Sequence, residues 1–304
     1  MTLLPILLPI ALLQVGPNPQ GADTFSAPDI TRNRPPRPQD GTDPLGLSDP
    51  NARWLAECLT QIETDPARAH TRAQIKLIEA IGPAKVVANH CLGLASTELA
   101  LWEDARRAFL AAREQTPLDE VRARARFGAM AGNAALAGGD LEGALVLLTR
   151  AMDEAEAAAS TALQVITAID MARILVMLER PQEALAPLDR ATTLAPQDSE
   201  SWLLKATLLR RLDQLGDAQA AIEQAVTLAP QDVEIGLEAG VIAIFSGRED
   251  AARASWQSVI DTQPDSLAAE KARGYLEQIG QNPDSSAKGT TQGPTQGPTQ
   301  GEAP

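Results

Sequence analysis

The side chains best suited to chemistry in this sequence are two histidines and two cysteines, His70, His90, Cys58 and Cys91. Together they could supply the four ligands of a zinc site. Structural zinc sites, however, bring their ligands in closely spaced pairs such as C-x2-C. His90 and Cys91 are adjacent, so on a helix they point to different faces. The spacing therefore predicts neither a metal site nor a bound cofactor.

Catalytic motifs are also missing from the sequence. It contains no G-x-S-x-G, no Walker A loop and no G-x-G-x-x-G. Acidic residues instead stand at helical i, i+4 spacing to arginines, as Glu249 does to Arg253. Such pairs are typical of solvated helix faces. The sequence thus predicts a protein that is not an enzyme, with no catalytic residues.

The surrounding elements repeat along the chain. The stretch TLAPQD occurs at 193–198 and again, letter for letter, at 227–232. Upstream of each of four similarly placed prolines, at a constant distance, stands an alanine that is followed four positions later by a bulky residue. This spacing follows one stripe of a helix. The four alanine and bulky pairs are Ala105 and Phe109, Ala184 and Leu188, Ala218 and Ile222, and Ala252 and Trp256.

These units resemble the tetratricopeptide repeat, a helix-turn-helix of about 34 residues. One match consists of Leu92, Gly93, Ala105, Phe109, Ala112 and Pro117, and another of Trp202, Ala206, Ala218, Ile222, Ala225 and Pro230. The resemblance implies an all-α, right-handed α-solenoid of about five to six repeats with a C-terminal capping helix. The expected repeats are approximately 51–84, 86–119, 125–158, 165–198, 199–232 and 233–266, and the expected cap is 266–280.

Two early repeats are longer than the others. The alanines that begin the second-helix stripe, Ala105, Ala144 and Ala184, are spaced more widely than the equivalent alanines later in the chain, by five or six positions in each interval. We expect the turns between the helices to carry these extra residues.

The two ends of the chain lie outside the repeat pattern. Residues 1–22 contain an apolar run from Thr2 to Val15 that is too short to span a bilayer, and a signal peptide is the favoured interpretation. A short uncleaved anchor or a mis-set start codon is the alternative. Residues 23–50 are a Pro-rich linker, and residues 281–304 are a low-complexity tail expected to be disordered. A cleaved signal predicts a periplasmic or secreted protein without stable membrane insertion; the alternative is cytoplasmic.

The charge composition of the chain restricts the classes of partner that the protein is expected to bind. The net charge of -14 argues against nucleic acid, which rewards clustered Lys and Arg, and against adsorption to anionic lipid. The acidity is uneven: residues 199–280 carry seven basic and thirteen acidic groups, whereas residues 85–126 carry seven and six. Within the latter, Arg122 and Arg126 share a helix face, and Arg124 is expected to point away from it.

The cysteines have a predicted use. An even, minimal cysteine count in an oxidising compartment favours a disulfide, here between Cys58 and Cys91. The alternative is two small buried thiols that fill gaps between helices.

The family resemblance implies a concave groove, lined by the first helix of each repeat, that holds a peptide or a partner helix. Positions turned inward include Leu203, Thr207, Arg210, Leu237, Val241 and Ile244. The predicted partner-binding patch consists of Arg126, Met130, Asn133, Asp170, Arg173 and Met177. The expected function is a non-catalytic protein-interaction adaptor in the cell envelope. The alternatives are an intracellular scaffold and an accessory subunit of an envelope enzyme complex.

Overall fold

A computed structural model describes residues 49–280 of the 304-residue chain. The predicted signal segment 1–22, the linker residues 23–48 and the predicted tail 281–304 lie outside the described residues. Thirteen α-helices and no strand occupy the described part. They are α1 (Pro50–Thr64), α2 (Pro66–Glu79), α3 (Pro83–Glu98), α4 (Trp102–Gln115), α5 (Val121–Ala137), α6 (Leu141–Ala157), α7 (Thr161–Met177), α8 (Leu185–Leu194), α9 (Ser199–Arg211), α10 (Leu215–Leu228), α11 (Val233–Phe245), α12 (Glu249–Thr262) and α13 (Leu267–Gly280).

The duplicated TLAPQD stretch has a local explanation. Its final aspartates, Asp198 and Asp232, are the N-caps of α9 and α11. The Asp198 carboxylate accepts from the Ser201 backbone N–H at 3.1 Å, and the Asp232 carboxylate accepts from the Ile235 N–H at 3.2 Å. An N-cap carboxylate satisfies donors that have no partner in the first helical turn. The repeated letters therefore end one helix pair and begin the next.

The helices pack as consecutive pairs. Each helix contacts the next along the chain, and the first helices of neighbouring pairs also touch where α1 meets α3, α5 meets α7, and α9 meets α11. The final helix, α13, packs on α11 and α12 and covers the end of the stack. The predicted fold class, an all-α repeat solenoid with a capping helix, is confirmed.

Small residues on the first helices set how closely the paired helices approach. A Cβ placed on Gly93 of α3 would lie 2.6 Å from Cδ1 of the Phe109 ring on α4. The equivalent position on Gly240 of α11 would lie 2.5 Å from Cδ1 of Trp256 on α12. No real Cβ fits at such distances, so glycine lets each aromatic ring pack directly on the neighbouring backbone.

The prediction that turns carry the extra residues of the long repeats is wrong. The helices carry them: α5 and α6 have 17 residues each, whereas α9 and α10 have 13 and 14. Almost one additional turn per helix adds internal backbone hydrogen bonds and extends the same apolar stripe. A longer loop between two helices would add neither these hydrogen bonds nor apolar surface in the stripe.

Candidate functional site

A cavity lies at the C-terminal end of the solenoid. Side chains from α9, α11, α12 and α13 enclose a cavity of about 620 Å³. All six inward positions inferred for these repeats line it: Leu203, Thr207, Arg210, Leu237, Val241 and Ile244. The repeat register thus places one stripe from α9 and one from α11 around a common space.

The capping helix completes this cavity. Lys271, Tyr275 and Ile279 of α13 form part of its wall. The Tyr275 ring lies 5.1 Å from the Trp256 ring, centroid to centroid, and the Trp256 indole N–H donates to the Leu237 carbonyl at 3.1 Å. Sequence reasoning missed these contributors, because it assigned the cap to covering the last repeat and considered first helices alone for the groove.

Charged groups stand among the apolar walls of the cavity. Arg210 of α9 donates through Nε to Glu238 of α11 at 2.6 Å, which ties the two walls together. The Arg210 guanidinium also lies 5.8 Å from the centroid of the Phe245 ring. Phe245 is 63% exposed, an unusual position for a large aromatic side chain. The cavity therefore combines an apolar floor with an exposed ring and a charged rim.

Three of the predicted patch residues are brought together on α5 and α7, nearer the N-terminal end of the stack than the cavity. The Asn133 amide of α5 donates to Asp170 Oδ2 of α7 at 3.0 Å, and Arg173 reaches Asp170 Oδ1 at 3.3 Å. Arg173 also donates to Glu200 of α9 at 2.6 Å, so the polar chain spans three first helices. Burial raises the pKa of the Asp170 carboxyl, against the opposing effects of Asn133 and Arg173.

Arg126 makes different contacts. Its guanidinium donates to Nε2 of His90 on α3 at 3.2 Å and lies 5.8 Å from the Phe127 ring centroid. Burial, and secondarily the charge of Arg126, lower the pKa of His90 from 6.5 to about 4. The imidazole is therefore neutral at physiological pH, with Nε2 as the acceptor.

The two methionines of the patch differ from each other. Met130 is half-buried and packs against the core cluster that contains Phe109 and Phe127. Met177, at the end of α7, is 56% exposed. Partner binding by the six-residue patch stays a prediction.

Arg124 holds a place that sequence reasoning missed. It is buried and donates to the backbone carbonyls of Arg113 at 2.8 Å and Thr116 at 3.0 Å, where α4 ends. Its Nε also lies 3.7 Å from Glu154, to which Arg113 donates at 3.1 Å. The signal was its spacing, because Arg124, Gly128 and Gly132 fall on one core-facing stripe at i, i+4 and i+8.

The two cysteines are joined in the structure. Cys58 of α1 and Cys91 of α3 form a disulfide with their Cα atoms 6.2 Å apart. Both residues are fully buried, in a cluster with Ala69 and Ala73 of α2. The bridge links the first helices of the first two pairs.

Residues 49–280 contain no group of three or more His, Cys, Asp or Glu side chains that could hold a metal ion. Over the same range, each helix is too short or too polar to cross a bilayer.

A family model described as "Tetratricopeptide repeat" matches residues 199–232. The match covers α9, α10 and the turn that ends at the Asp232 cap. Residues 199–232 therefore form a tetratricopeptide repeat. No match was found among curated proteins.

Solved structures share this tetratricopeptide repeat fold. PilF of Pseudomonas aeruginosa aligns at a TM-score of 0.58 and 15% identity, over 76% of this chain and 99% of its own. MamA of Desulfovibrio magneticus RS-1 aligns at 0.52 and 16% identity, over 62% and 100%. YrrB, described as a TPR protein with an unusual peptide-binding site, aligns at 0.48 and 21% identity, over 68% and 98%. At these identities the likeness to PilF and MamA shows the fold alone.

Proposed function

We propose that this tetratricopeptide repeat protein is a non-catalytic adaptor that holds a peptide or a segment of a partner protein on its concave surface. The observation that carries the proposal is the cavity of about 620 Å³ formed at the inward positions of α9 and α11. Its size lies within the range of roughly 300 to 1,000 Å³ that is common for binding sites. The cavity would be the apolar part of the partner-binding site.

The lining indicates what kind of segment would fit. Leu237, Val241 and Ile244 present aliphatic surface along one face of α11, and Phe245 extends it outward. An apolar anchor side chain of a partner helix or extended peptide would be desolvated there, which is how a few residues come to dominate an interface. The Arg210 and Glu238 pair would orient the polar backbone or side chains beside that anchor.

The predicted patch on α5 and α7 is the second proposed contact. Asn133, Asp170 and Arg173 form a polar network on first helices, and Arg126 lies two turns before Asn133 on α5. Of these, Arg126 has a guanidinium that pairs with no carboxylate among the described residues. Its planar fork would suit a carboxylate of the partner.

We also propose that the protein works in the cell envelope. Two features support this: the apolar run from Thr2 to Val15, which is typical of a signal peptide, and the buried Cys58–Cys91 bridge, which suits an oxidising compartment. Fractionation of the native host tests the proposal. Recovery of the protein from the cytoplasm alone would contradict it and favour an intracellular scaffold.

The test of the binding site compares tagged variants as baits in extracts of the native host. The double substitution Val241→Ser and Phe245→Ser removes apolar surface from the cavity, and we expect at least a tenfold loss of each specific partner. The matched control, Leu118→Ser and Val146→Ser, removes similar exposed apolar surface elsewhere, since Leu118 is 81% and Val146 68% exposed. Circular dichroism verifies the fold of each variant. Equal recovery by both variants would contradict the cavity as the binding site.

The polar patch is tested in the same way. Arg126→Gln and Arg173→Gln together remove two cations, and a lost charge-assisted contact is worth about 1.5 to 3 kcal/mol. We expect partner recovery to fall about tenfold or more for each contact that the partner uses. Unchanged recovery would remove the patch from the binding site and leave the cavity.

A further inference from the structure

An apolar ridge lies exposed on the first repeat. It consists of Ile75 and Ile78 on α2 and Ile81 immediately after that helix, which are 60%, 83% and 80% exposed. Large aliphatic side chains are rarely this exposed as a group, and contiguous apolar patches mark interaction sites. We call these three residues the isoleucine ridge.

The ridge faces away from the core. Ala69 and Ala73, on the opposite side of α2, are fully buried against α1 and α3. Ile75 and Ile78 follow Ala73 by two and five positions, which places them on the outer side of the helix. The packing of the solenoid therefore leaves the ridge uncovered by the described residues, and it projects outward.

The surroundings of the ridge are basic in an acidic chain. Residues 66–85 carry four basic groups and one acidic group, or +3. Arg72 is held by Glu57 at 2.6 Å, whereas Arg68, Lys76 and Lys85 form no ion pair with a described residue. A complementary surface would thus be concave, apolar and acidic.

The cavity at the other end of the same chain is concave and apolar, and it lies in an acidic part of the chain. Its wall carries two carboxylates, Glu234 and Glu238, and two cations, Arg210 and Lys271; Glu238 is paired with Arg210, and Glu234 is exposed. Residues 199–280, from which the lining comes, carry seven basic and thirteen acidic groups, or -6. The ridge lies on the first helix pair, and the cavity is formed by the fifth and sixth pairs and the cap. Because eight helices separate α2 from α11, the ridge of one molecule can meet a cavity only on another.

We propose that the isoleucine ridge of one copy docks into the cavity of a second copy, head to tail. Isoleucine side chains would enter the apolar floor, while the cations around the ridge would face the acidic C-terminal repeats, in which Glu234 is exposed on the cavity wall. The inference rests on the proposed function, in that the cavity is a protein-binding site, and it names one occupant of that site. Each bound copy leaves one free ridge and one free cavity, so the contact propagates as an open chain.

Sedimentation velocity of the full chain across a concentration series tests the proposal. The wild type is expected to form dimers and longer species as its concentration rises. Ile75→Ser with Ile78→Ser removes the ridge, and Val241→Ser with Phe245→Ser alters the cavity. Each double variant is expected to associate at least tenfold more weakly. Leu118→Ser with Val146→Ser is the matched control and is expected to associate like the wild type.

Mixing gives the decisive measurement. The ridge variant keeps an intact cavity and the cavity variant keeps an intact ridge, so an equimolar mixture of the two is expected to form dimers and nothing longer. Such complementation requires two different surfaces on the two copies. A monomeric mixture, a monomeric wild type at all concentrations, or an equal loss of association in the control variant would overturn the proposal.

Two further outcomes would reassign the surfaces. Binding of the monomeric wild type to phosphatidylserine vesicles, with loss in the ridge variant, would make the ridge a lipid contact and overturn the proposal. Capture of a foreign partner by the cavity in a protein that does not self-associate would also overturn it, while the proposed adaptor function would stand. If the wild-type protein neither self-associates nor captures a partner, both the head-to-tail contact and the proposed adaptor function are contradicted.

Discussion

Arg113 on α4, which is buried, and Glu154 on α6, which is half-buried, form an ion pair across 41 residues of chain, with Nε of the arginine 3.1 Å from Oε2 of the glutamate. Arg124 on α5 approaches the same carboxylate at 3.7 Å and also binds two carbonyls near the end of α4. One carboxylate therefore serves two buried cations from consecutive repeats. The interaction joins the second and third helix pairs by a contact that no repeat motif contains.

Glu154→Ala is expected to lower the free energy of unfolding by about 3 to 5 kcal/mol, because it leaves buried cations without their carboxylate. Urea denaturation followed by circular dichroism measures this effect. The double variant Arg113→Met and Glu154→Leu removes charge from both partners and is expected to cost less than Glu154→Ala. A larger loss in the double variant would contradict the assignment of the cost to uncompensated charge.

The close approach of α3 to α4 predicts that Gly93→Ala destabilises the protein by about 1 to 3 kcal/mol, since the added Cβ would overlap the Phe109 ring. Gly274→Ala is the matched control. Gly274 lies within α13, and a Cβ there meets no atom within 4 Å. Alanine should be neutral or stabilising at that position by up to about 1 kcal/mol. Denaturation midpoints that fall equally for both variants would exclude the steric explanation.

The lowered pKa of His90 predicts that the folded protein loses stability in mild acid. Its pKa in the folded state is about 4, below the ordinary histidine value of 6.5, so the unfolded chain takes up the proton first as the pH falls. The stability that neutral His90 contributes is present above pH 6.5 and decreases down to about pH 4. The loss is on the order of 3 kcal/mol, from about 1.36 kcal/mol per pKa unit.

Denaturation of wild type and His90→Gln at a series of pH values checks this prediction. Glutamine keeps an acceptor for Arg126 but does not titrate, so the difference between the two proteins should change across that window. A difference that is independent of pH would contradict the assignment to His90.

The Cys58–Cys91 bridge predicts a stability that depends on redox conditions. The bridged cysteines have a sequence separation of 33, and the loop-entropy model assigns to such a bridge about 3 to 4 kcal/mol. Dithiothreitol should therefore lower the denaturation midpoint of the wild type. The variant Cys58→Ala with Cys91→Ala should have a low midpoint that the reductant does not change. Two thiols titrated in unreduced, denatured protein would show that the bridge is absent.

Local spacing within the sequence was sufficient to predict the helical solenoid. The period of the repeat placed Gly93 opposite Phe109 and Ala206 on the stripe that packs against Ile222, because contacts inside one repeat depend on a helix pair whose geometry recurs. For the same reason, the inward positions Leu203, Leu237 and Val241 could be assigned before their cavity was known. These are short-range consequences of helical periodicity.

Tertiary structure alone decided which polar groups meet across repeats. The sequence does not show that Asn133 pairs with Asp170, that Arg126 pairs with His90, or that Glu154 is the carboxylate that Arg124 approaches. Such contacts depend on the angle and offset between neighbouring helix pairs, which change when helices lengthen by a turn, as α5 and α6 do. The cavity likewise needs the capping helix α13, whose position follows from packing against α11 and α12 rather than from any repeated spacing.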